Sequence, residues 1–183
     1  VDKATVVILD RDGTIIRDTS YLSDPAEVEL LPAALEGLKR LCSLGAALLV
    51  VTNQSGVGRG FFTMVEVDAV NRQLRDILTA HGIDLMGIFV CTHIPSDLCG
   101  CRKPRTGLVE SAVLEMGLTL DRAFVIGDRS CDIELGHNLG VKAVWITNVA
   151  HQDEIRNSAR APHFAVSNLL EAAEIIAAEI RGD

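Results

Sequence analysis

Short, unbroken apolar runs alternate with segments of helical period along this chain. The runs are TVVILD (5–10), AALLVVTN (46–53), GIFVC (87–91), AFVIGD (123–128), AVWIT (143–147) and HFAV (163–166). They are rich in Val, Ile and Leu and do not alternate with polar residues, which predicts parallel strands buried on both faces. Helices fall between them. PAALEGLKRLCSLG starts at Pro32 and stops at Gly45, and TMVEVDAVNRQLRDILTAHG opens on a capping box, Thr63 with Glu66 three residues on. TGLVESAVLEMG and CDIELGHNLG end in glycine, and Ser167 stands where it would cap SNLLEAAEIIAAEIRG. This alternation predicts an α/β fold of three layers, Rossmann-like, with a mostly parallel central sheet. No repeat or linker interrupts it, so residues 1–183 read as one domain.

Composition narrows the setting. With 183 residues, 48% of them apolar and 23% charged, the chain has ordinary globular usage and enough length for one full core. No apolar stretch approaches the ~18 residues of a membrane span. The first run, Val6 to Leu9, is too short for a signal-peptide core. A net charge of −8 argues against a nucleic-acid partner, although it leaves room for a local cationic pocket. Three of the five cysteines crowd into eleven residues, where a disulfide scaffold would spread them. The expectation is a reduced, cytoplasmic monomer.

The polar residues that close the apolar runs differ in chemistry: Asp10, Thr52 with Asn53, Cys91, and Asp128. In open α/β sheets ligands bind at the carboxyl edge of the strands, so these groups should converge on one crevice. DRDGT puts Asp10 and Asp12 two residues apart. Asp-Gly is common turn chemistry, but two carboxylates at the end of a buried strand need an offsetting cation. With Asp128 they make a hard, oxygen-rich site suited to Mg²⁺, an ion that favours phosphate chemistry.

CTHIPSDLCGCRKP (91–104) holds a second set. Cys91, His93, Cys99 and Cys101 have the closed four-ligand composition of a structural Zn²⁺. The alternative, four free side chains on a loop, fits poorly with thiols that cluster. All four positions would be taken by protein, so such a metal would stiffen the loop and leave catalysis to others. The SGVGRG stretch (55–60) lacks the GK[ST] of a P-loop and reads as a turn covering a substrate. Cys42, Cys131 and Trp145 read as packing residues. His81, His137, His151 and His163 have no partner in sequence and take no role.

In order, LDRDGT (9–14), VVTN (50–53), RKP (102–104) and VIGDRSCD (125–132) resemble the four motifs of the haloacid dehalogenase-like phosphatases. The resemblance implies that Asp10 attacks phosphorus and that Asp12 acts as general acid and base. It implies Mg²⁺ on Asp10, Asp128 and the main-chain carbonyl of Asp12, with Thr52 and Lys103 holding the phosphoryl oxygens. Asp132 is either the second acid of the fourth motif, in direct contact with the Mg²⁺, or a first-turn residue favoured by the helix dipole. Within the superfamily, TNQSGVGRGFFT (52–63) and the cysteine loop resemble the D-glycero-D-manno-heptose 1,7-bisphosphate phosphatases and the related histidinol-phosphate phosphatases. Such proteins lack a large cap domain, and here about thirty-five residues with one helix separate the first two strands.

The implied partner is a small phosphorylated substrate, a heptose bisphosphate losing its C7 phosphate. Asp18, Tyr21, Asn53, Gln54, Ser55, Arg59, Arg102 and Arg129 are the candidate substrate contacts. Ser20 stands where the group usually has glycine before the tyrosine. Histidinol phosphate is the alternative substrate. A non-catalytic zinc-loop binding module is a third reading, opposed by the intact Asp10, Asp12, Thr52, Lys103 and Asp128.

Overall fold

The computed structural model describes residues 5–182. Its strands are β1 (Val6–Leu9), β2 (Ala47–Asn53), β3 (Gly87–Cys91), β4 (Ala123–Gly127), β5 (Lys142–Ile146) and β6 (Phe164–Val166). The helices are α1 (Ala34–Ser43), α2 (Ser55–Gly58), α3 (Met64–Ala80), α4 (Gly107–Met116), α5 (Ser130–Leu139), α6 (Gln152–Arg156) and α7 (Leu169–Gly182). All six strands pair in parallel in the order β3-β2-β1-β4-β5-β6. The predicted three-layer fold is therefore observed.

Successive strand residues point to opposite faces, and both faces are covered. Val7 and Leu9 of β1 join a core with α1, α3 and α7, built on Leu38, Leu41, Val70, Leu74, Ala173 and Ile176. Val6 and Ile8 face the other way, onto Val109 and Ala112 of α4 and Leu135 of α5. That two-sided burial is why the runs carry no polar alternation. Helices α1 and α7 pack so closely that a Cβ on Gly37 would sit 2.6 Å from the Leu169 carbonyl. Among the described residues no helix is long and apolar enough to cross a membrane.

The register levels the strand ends where the chemistry lies. Leu9 stands beside Val50 on one side and Ile126 on the other. Asp10 thus leaves the sheet between β2 and β4, at the point where the strand order reverses. Crossovers on its two sides run to opposite faces and open a crevice there. Residues 10–33 form a hooked loop over that edge, tied by bridges from Ile16 to Asp12 and to Leu30.

Two boundaries differ from expectation. Helix α1 starts at Ala34, because Ala33 takes a left-handed conformation with φ 61° that leaves Pro32 outside the helix. The cap of α7 is Asn168, not Ser167. Asn168 Oδ1 accepts from the Glu171 amide at 3.0 Å, while the Ser167 amide donates to the Glu171 carboxylate at 2.8 Å. Helices α2 and α6 were not anticipated, since four or five residues hold too little of a 3.6-residue period to register.

Asn168→Ala should destabilise the fold by about 1 kcal/mol, the usual cost of losing an N-cap. That lowers the melting temperature by about 2–4 °C for a chain of this size. Ser167→Ala should have no measurable effect, and a larger loss from it than from Asn168→Ala in thermal melts would restore Ser167 as the cap.

Candidate active site

Four strand ends deliver the site. Asp10 follows β1, Thr52 and Asn53 end β2, Cys91 ends β3, and Asp128 follows β4. Asp10 is 8% exposed, Thr52 1%, Asp128 0% and Asp132 1%, so four polar side chains are held out of bulk water at one sheet edge. Glycines make the crowding possible. Gly13 has φ +78°, and a Cβ on it would run into the Asp128 carboxylate; one on Gly127 would run into Asp132.

Lys103 holds this cluster together. Its Nζ lies 2.7 Å from Asp10 Oδ1 and 2.7 Å from Asp132 Oδ1. Burial by itself pushes the ammonium down, but the two carboxylates outweigh it and hold Lys103 above its ordinary value. Asn53 fixes the lysine's main chain. Its side-chain amide donates to the Lys103 carbonyl at 3.2 Å and its Oδ1 accepts from the Lys103 amide at 3.1 Å.

The carboxylates fall into two groups. Ligand atoms of Asp10, Asp128 and Asp132 lie within 4.8 Å of one another. Asp12 turns away from that set, accepting from Arg11 Nε and Nη2 at 3.1 Å each and from Gln54 Nε2 at 2.7 Å. Burial raises Asp12 above the usual carboxylate value, with Arg11 pulling it partly back. Asp128 is pushed up to about 8, first by burial and then by the charges of Asp10 and Asp132. Its Oδ2 accepts from Asn148 Nδ2 at 3.1 Å, while its Oδ1 is buried with no hydrogen-bond partner. Such an unpartnered acceptor among clustered carboxylates suits a hard divalent cation, so these residues fit Mg²⁺. Asp132 is raised by burial despite Lys103, and its Oδ2 also caps α5 through the Arg129 amide at 3.1 Å. It thus serves the helix turn and the lysine together.

The second predicted set also converges. Sulfur to sulfur separations among Cys91, Cys99 and Cys101 are 3.3 to 3.7 Å, and His93 Nδ1 lies 3.6 and 3.3 Å from Cys91 and Cys101. Tetrahedral zinc with ordinary bond lengths has ligand edges of roughly 3.5–3.8 Å. The four ligands therefore fit that ion with an expansion of a few tenths of an ångström at most. Burial pushes the Cys91 thiol up to about 12, so a metal there must displace its proton. Arg105 donates to the Cys99 carbonyl and Arg102 to the His93 carbonyl, and the loop runs straight from Cys101 to Lys103.

Above the cluster lies a cavity of about 360 Å³. Asp10, Asp12, Thr52 and Lys103 form its floor, and Asp18, Tyr21, Asn53, Gln54, Ser55, Arg59, Arg102 and Arg129 its walls. Every residue expected at the substrate lines it, yet several are already engaged. The Gln54 amide serves Asp12 and Thr52, the Asn53 amide serves Lys103, and Asp18 accepts from the Ser20 amide at 2.8 Å. Tyr21 meets Phe61 edge-on at 4.8 Å, and both Ser20 and Tyr21 have positive φ, 58° and 72°.

Several residues at the site carry no signal in the sequence. Arg11, 1% exposed, joins Asp12 to Asn71. His151, given no role from sequence, lies 3.3 Å from Asp128 Oδ2, and burial lowers it. Glu154 of α6 accepts from Arg129 and from Ser130. Cys131 lines the cavity, and burial together with Asp132 drives its thiol far up. Trp145 packs on Ile133, Ala143 and Ile155 and donates its indole N–H to the Asp128 carbonyl at 3.1 Å. An Asn or His some twenty residues from its partner leaves no spacing signal.

The fold and this constellation define a class, and comparison with known proteins agrees. Residues 100–172 match the HAD-hydrolase-like family model. A D-glycero-beta-D-manno-heptose-1,7-bisphosphate 7-phosphatase from Helicobacter pylori is 36% identical over 158 residues, spanning 86% of this chain and 87% of the relative. The crystal structure of D,D-heptose 1.7-bisphosphate phosphatase from B. bronchiseptica, complexed with magnesium and phosphate, superposes with a TM-score of 0.86. It is 26% identical, and the match covers 96% of this chain and 99% of that one. The histidine biosynthesis bifunctional protein HisB from Blochmanniella floridana is 30% identical over 167 residues, spanning 86% of this chain but 47% of its own length. The chain belongs to the haloacid dehalogenase-like phosphatases, and within them to the family of the D-glycero-D-manno-heptose-1,7-bisphosphate 7-phosphatases.

Divalent cation binding here should depend on pH in a defined direction. Asp128 stands near 8 without a cation, so below that value a proton must leave before its carboxylate can bind. Apparent Mg²⁺ affinity should strengthen as pH rises from roughly 6 to 8 and level off above. Trp145 is the one tryptophan of the chain and touches Asp128, so its fluorescence can follow the titration. An affinity that is flat over that range would show that Asp128 is already ionised.

Proposed function

We propose that the protein hydrolyses a phosphomonoester through an aspartyl-phosphate on Asp10, and that its substrate is D-glycero-D-manno-heptose 1,7-bisphosphate, from which the C7 phosphate is removed. One observation carries this: the buried Asp10, Thr52 and Lys103 lie on the floor of a cavity whose walls include three arginines.

A carboxylate oxygen of Asp10 attacks phosphorus while Asp12 gives a proton to the departing sugar oxygen. One O–P bond forms and one breaks, and the bonding pair leaves with the sugar oxygen. Asp12, now ionised, takes a proton from water as the water oxygen attacks the phosphoenzyme, which frees Asp10 and inorganic phosphate. Thr52 Oγ1 and Lys103 Nζ stabilise the transferring phosphoryl oxygens. Asp10, Asp128 and the main-chain carbonyl of Asp12 would hold Mg²⁺, whose charge would offset the repulsion between nucleophile and phosphate. Cys91, His93, Cys99 and Cys101 would hold a structural Zn²⁺, which would fix the loop that leads into Lys103.

The arginines favour a substrate that is anionic at both ends. Arg59, Arg102 and Arg129 share the cavity with the phosphate floor. A second phosphate gains from them, whereas the ammonium of histidinol phosphate meets like charge. The names of the Helicobacter pylori relative and of the B. bronchiseptica structure point the same way, whereas HisB is matched over 47% of its own length.

A kinetic screen at fixed Mg²⁺ should rank heptose 1,7-bisphosphate above fructose 1,6-bisphosphate, with histidinol phosphate poorest by kcat/KM. Asp10→Asn should remain folded and lose at least about a thousandfold in turnover, since an amide forms no phosphoenzyme. Histidinol phosphate as the best substrate would reverse the substrate assignment, and an Asp10→Asn variant within tenfold of the parent, about 1.4 kcal/mol, would remove the nucleophile.

Metal analysis should find about one tightly held zinc per chain. Cys99→Ser should reduce activity by on the order of a hundredfold although Cys99 touches no reacting atom, because a lysine misplaced by about an ångström loses its aim. Full activity of that variant, or zinc-free active protein, would separate the loop from catalysis.

A further inference from the structure

Arg11 is the largest fully buried side chain, 1% exposed, in a chain whose other arginines reach solvent or the cavity. A buried guanidinium has to be satisfied by acceptors. Its Nε and Nη2 donate to the two carboxylate oxygens of Asp12 at 3.1 Å each. Its Nη1 donates to Asn71 Oδ1 at 2.8 Å. Asn71 is 8% exposed on α3, sixty residues away in sequence and on the core-facing side of that helix.

We propose that Arg11 and Asn71 are positioning residues for Asp12, so that α3 sets the aim of the proton that Asp12 delivers to the leaving oxygen. This rests on the acid–base assignment of Asp12 above. A fork that grips both oxygens fixes the plane of the carboxylate, which a single contact cannot do. The fork itself could still swing with the Arg11 side chain, and the bond to Asn71 anchors it to a helix of seventeen residues.

The count of donors also distinguishes the two oxygens. Asp12 Oδ2 accepts from Arg11 Nε and from Gln54, whose same amide nitrogen donates to Thr52 Oγ1 at 2.8 Å. Oδ1 accepts from Arg11 Nη2 alone. Oδ1 is therefore the oxygen with a lone pair to spare, and it carries the proton. As the P–O bond breaks, its electron pair stays on the sugar oxygen, the Oδ1 proton moves to that oxygen, and the carboxylate left behind remains in the fork. A role limited to neutralising charge would need neither the two-point grip nor Asn71.

Leaving-group dependence separates the two roles. p-Nitrophenolate departs without protonation, whereas a sugar alkoxide requires it. Asn71→Leu removes the acceptor at nearly constant size, and kcat/KM for the best sugar bisphosphate should fall about thirtyfold while that for p-nitrophenyl phosphate falls less than about threefold. Asn71→Asp keeps an acceptor for Nη1 and should stay within about threefold of the parent on both substrates. If Asn71→Leu does not fold, Asn71→Ala removes the same acceptor and carries the same expectation. Equal losses on both substrates, or no loss on either, overturn the positioning role. Asp12→Asn is the control, read as kcat/KM so that the shared hydrolysis of the phosphoenzyme, in which Asp12 is the base, does not enter: a kcat/KM loss confined to the sugar ester supports the acid assignment, and equal kcat/KM loss on both esters removes that assignment independently of Asn71.

Discussion

The molecule depends on one buried ion cluster, the ammonium of Lys103 set 2.7 Å from both Asp10 and Asp132. Carboxylates at the end of a buried strand repel one another and lose hydration, so a site of this kind cannot form on strand chemistry alone. Lys103 supplies the missing charge from a distance of ninety-three residues. Removing one partner of a fully buried pair costs about 3–5 kcal/mol, because the remaining charge stays buried. Lys103 is therefore as much a part of the fold as of the proposed chemistry.

That dependence explains the work spent on a single lysine. The chain reaches it through a loop with few apolar residues of its own, and three devices hold the loop in place. The Cys3His cluster ends two residues before it, Asn53 pairs with its main chain on both sides, and Asn138 of α5 donates to the Pro104 carbonyl at 2.9 Å. The amide of Asn53 acts here as an extra rung of β2, continuing the sheet into a segment that is not a strand. Thr52 and Asn53 thus divide the labour of a strand end, one facing the cavity floor and the other securing its cation.

The buried strands were legible because two-sided burial keeps polar residues out of their interiors, and the motifs because each stands at or just past a strand end. The capping box of Thr63 and Glu66 was legible as a local rule and is observed. What could not be read is what depends on three-dimensional proximity. Arg11 looks like a spacer between two aspartates until α3 brings Asn71 to it. His151 and Asn148 look like loop residues until β5 returns beside β4 and sets them on Asp128. Gln54 and Asn53 were legible as polar residues near a substrate, but their hydrogen bonds go to other side chains and to main chain. The cap of α7 was misread by one residue because Ser and Asn are both good caps and the choice between them lies in the turn geometry.

Charge balance links the cluster to the chemistry above it. Asp10, Asp128 and Asp132 carry three negative charges when ionised, and Lys103 returns one, touching two of the three. Burial raises Asp128 most, and the charges of Asp10 and Asp132 add to it at the carboxylate the lysine does not reach, so that Asp128 stands near 8 and keeps an unpartnered oxygen. A deficit of two charges matches one divalent cation. With such a cation the floor would be close to neutral, and in the proposed reaction the phosphate would bring negative charge to Lys103 and the arginines of the walls. A monovalent ion would leave the floor repelling the phosphate, and a second lysine in place of the cation would bury another long chain in space that Gly13 and Gly127 keep clear for carboxylates. The number of carboxylates and the single lysine thus select a divalent charge, and the close-packed glycines leave no room for a second long cationic side chain.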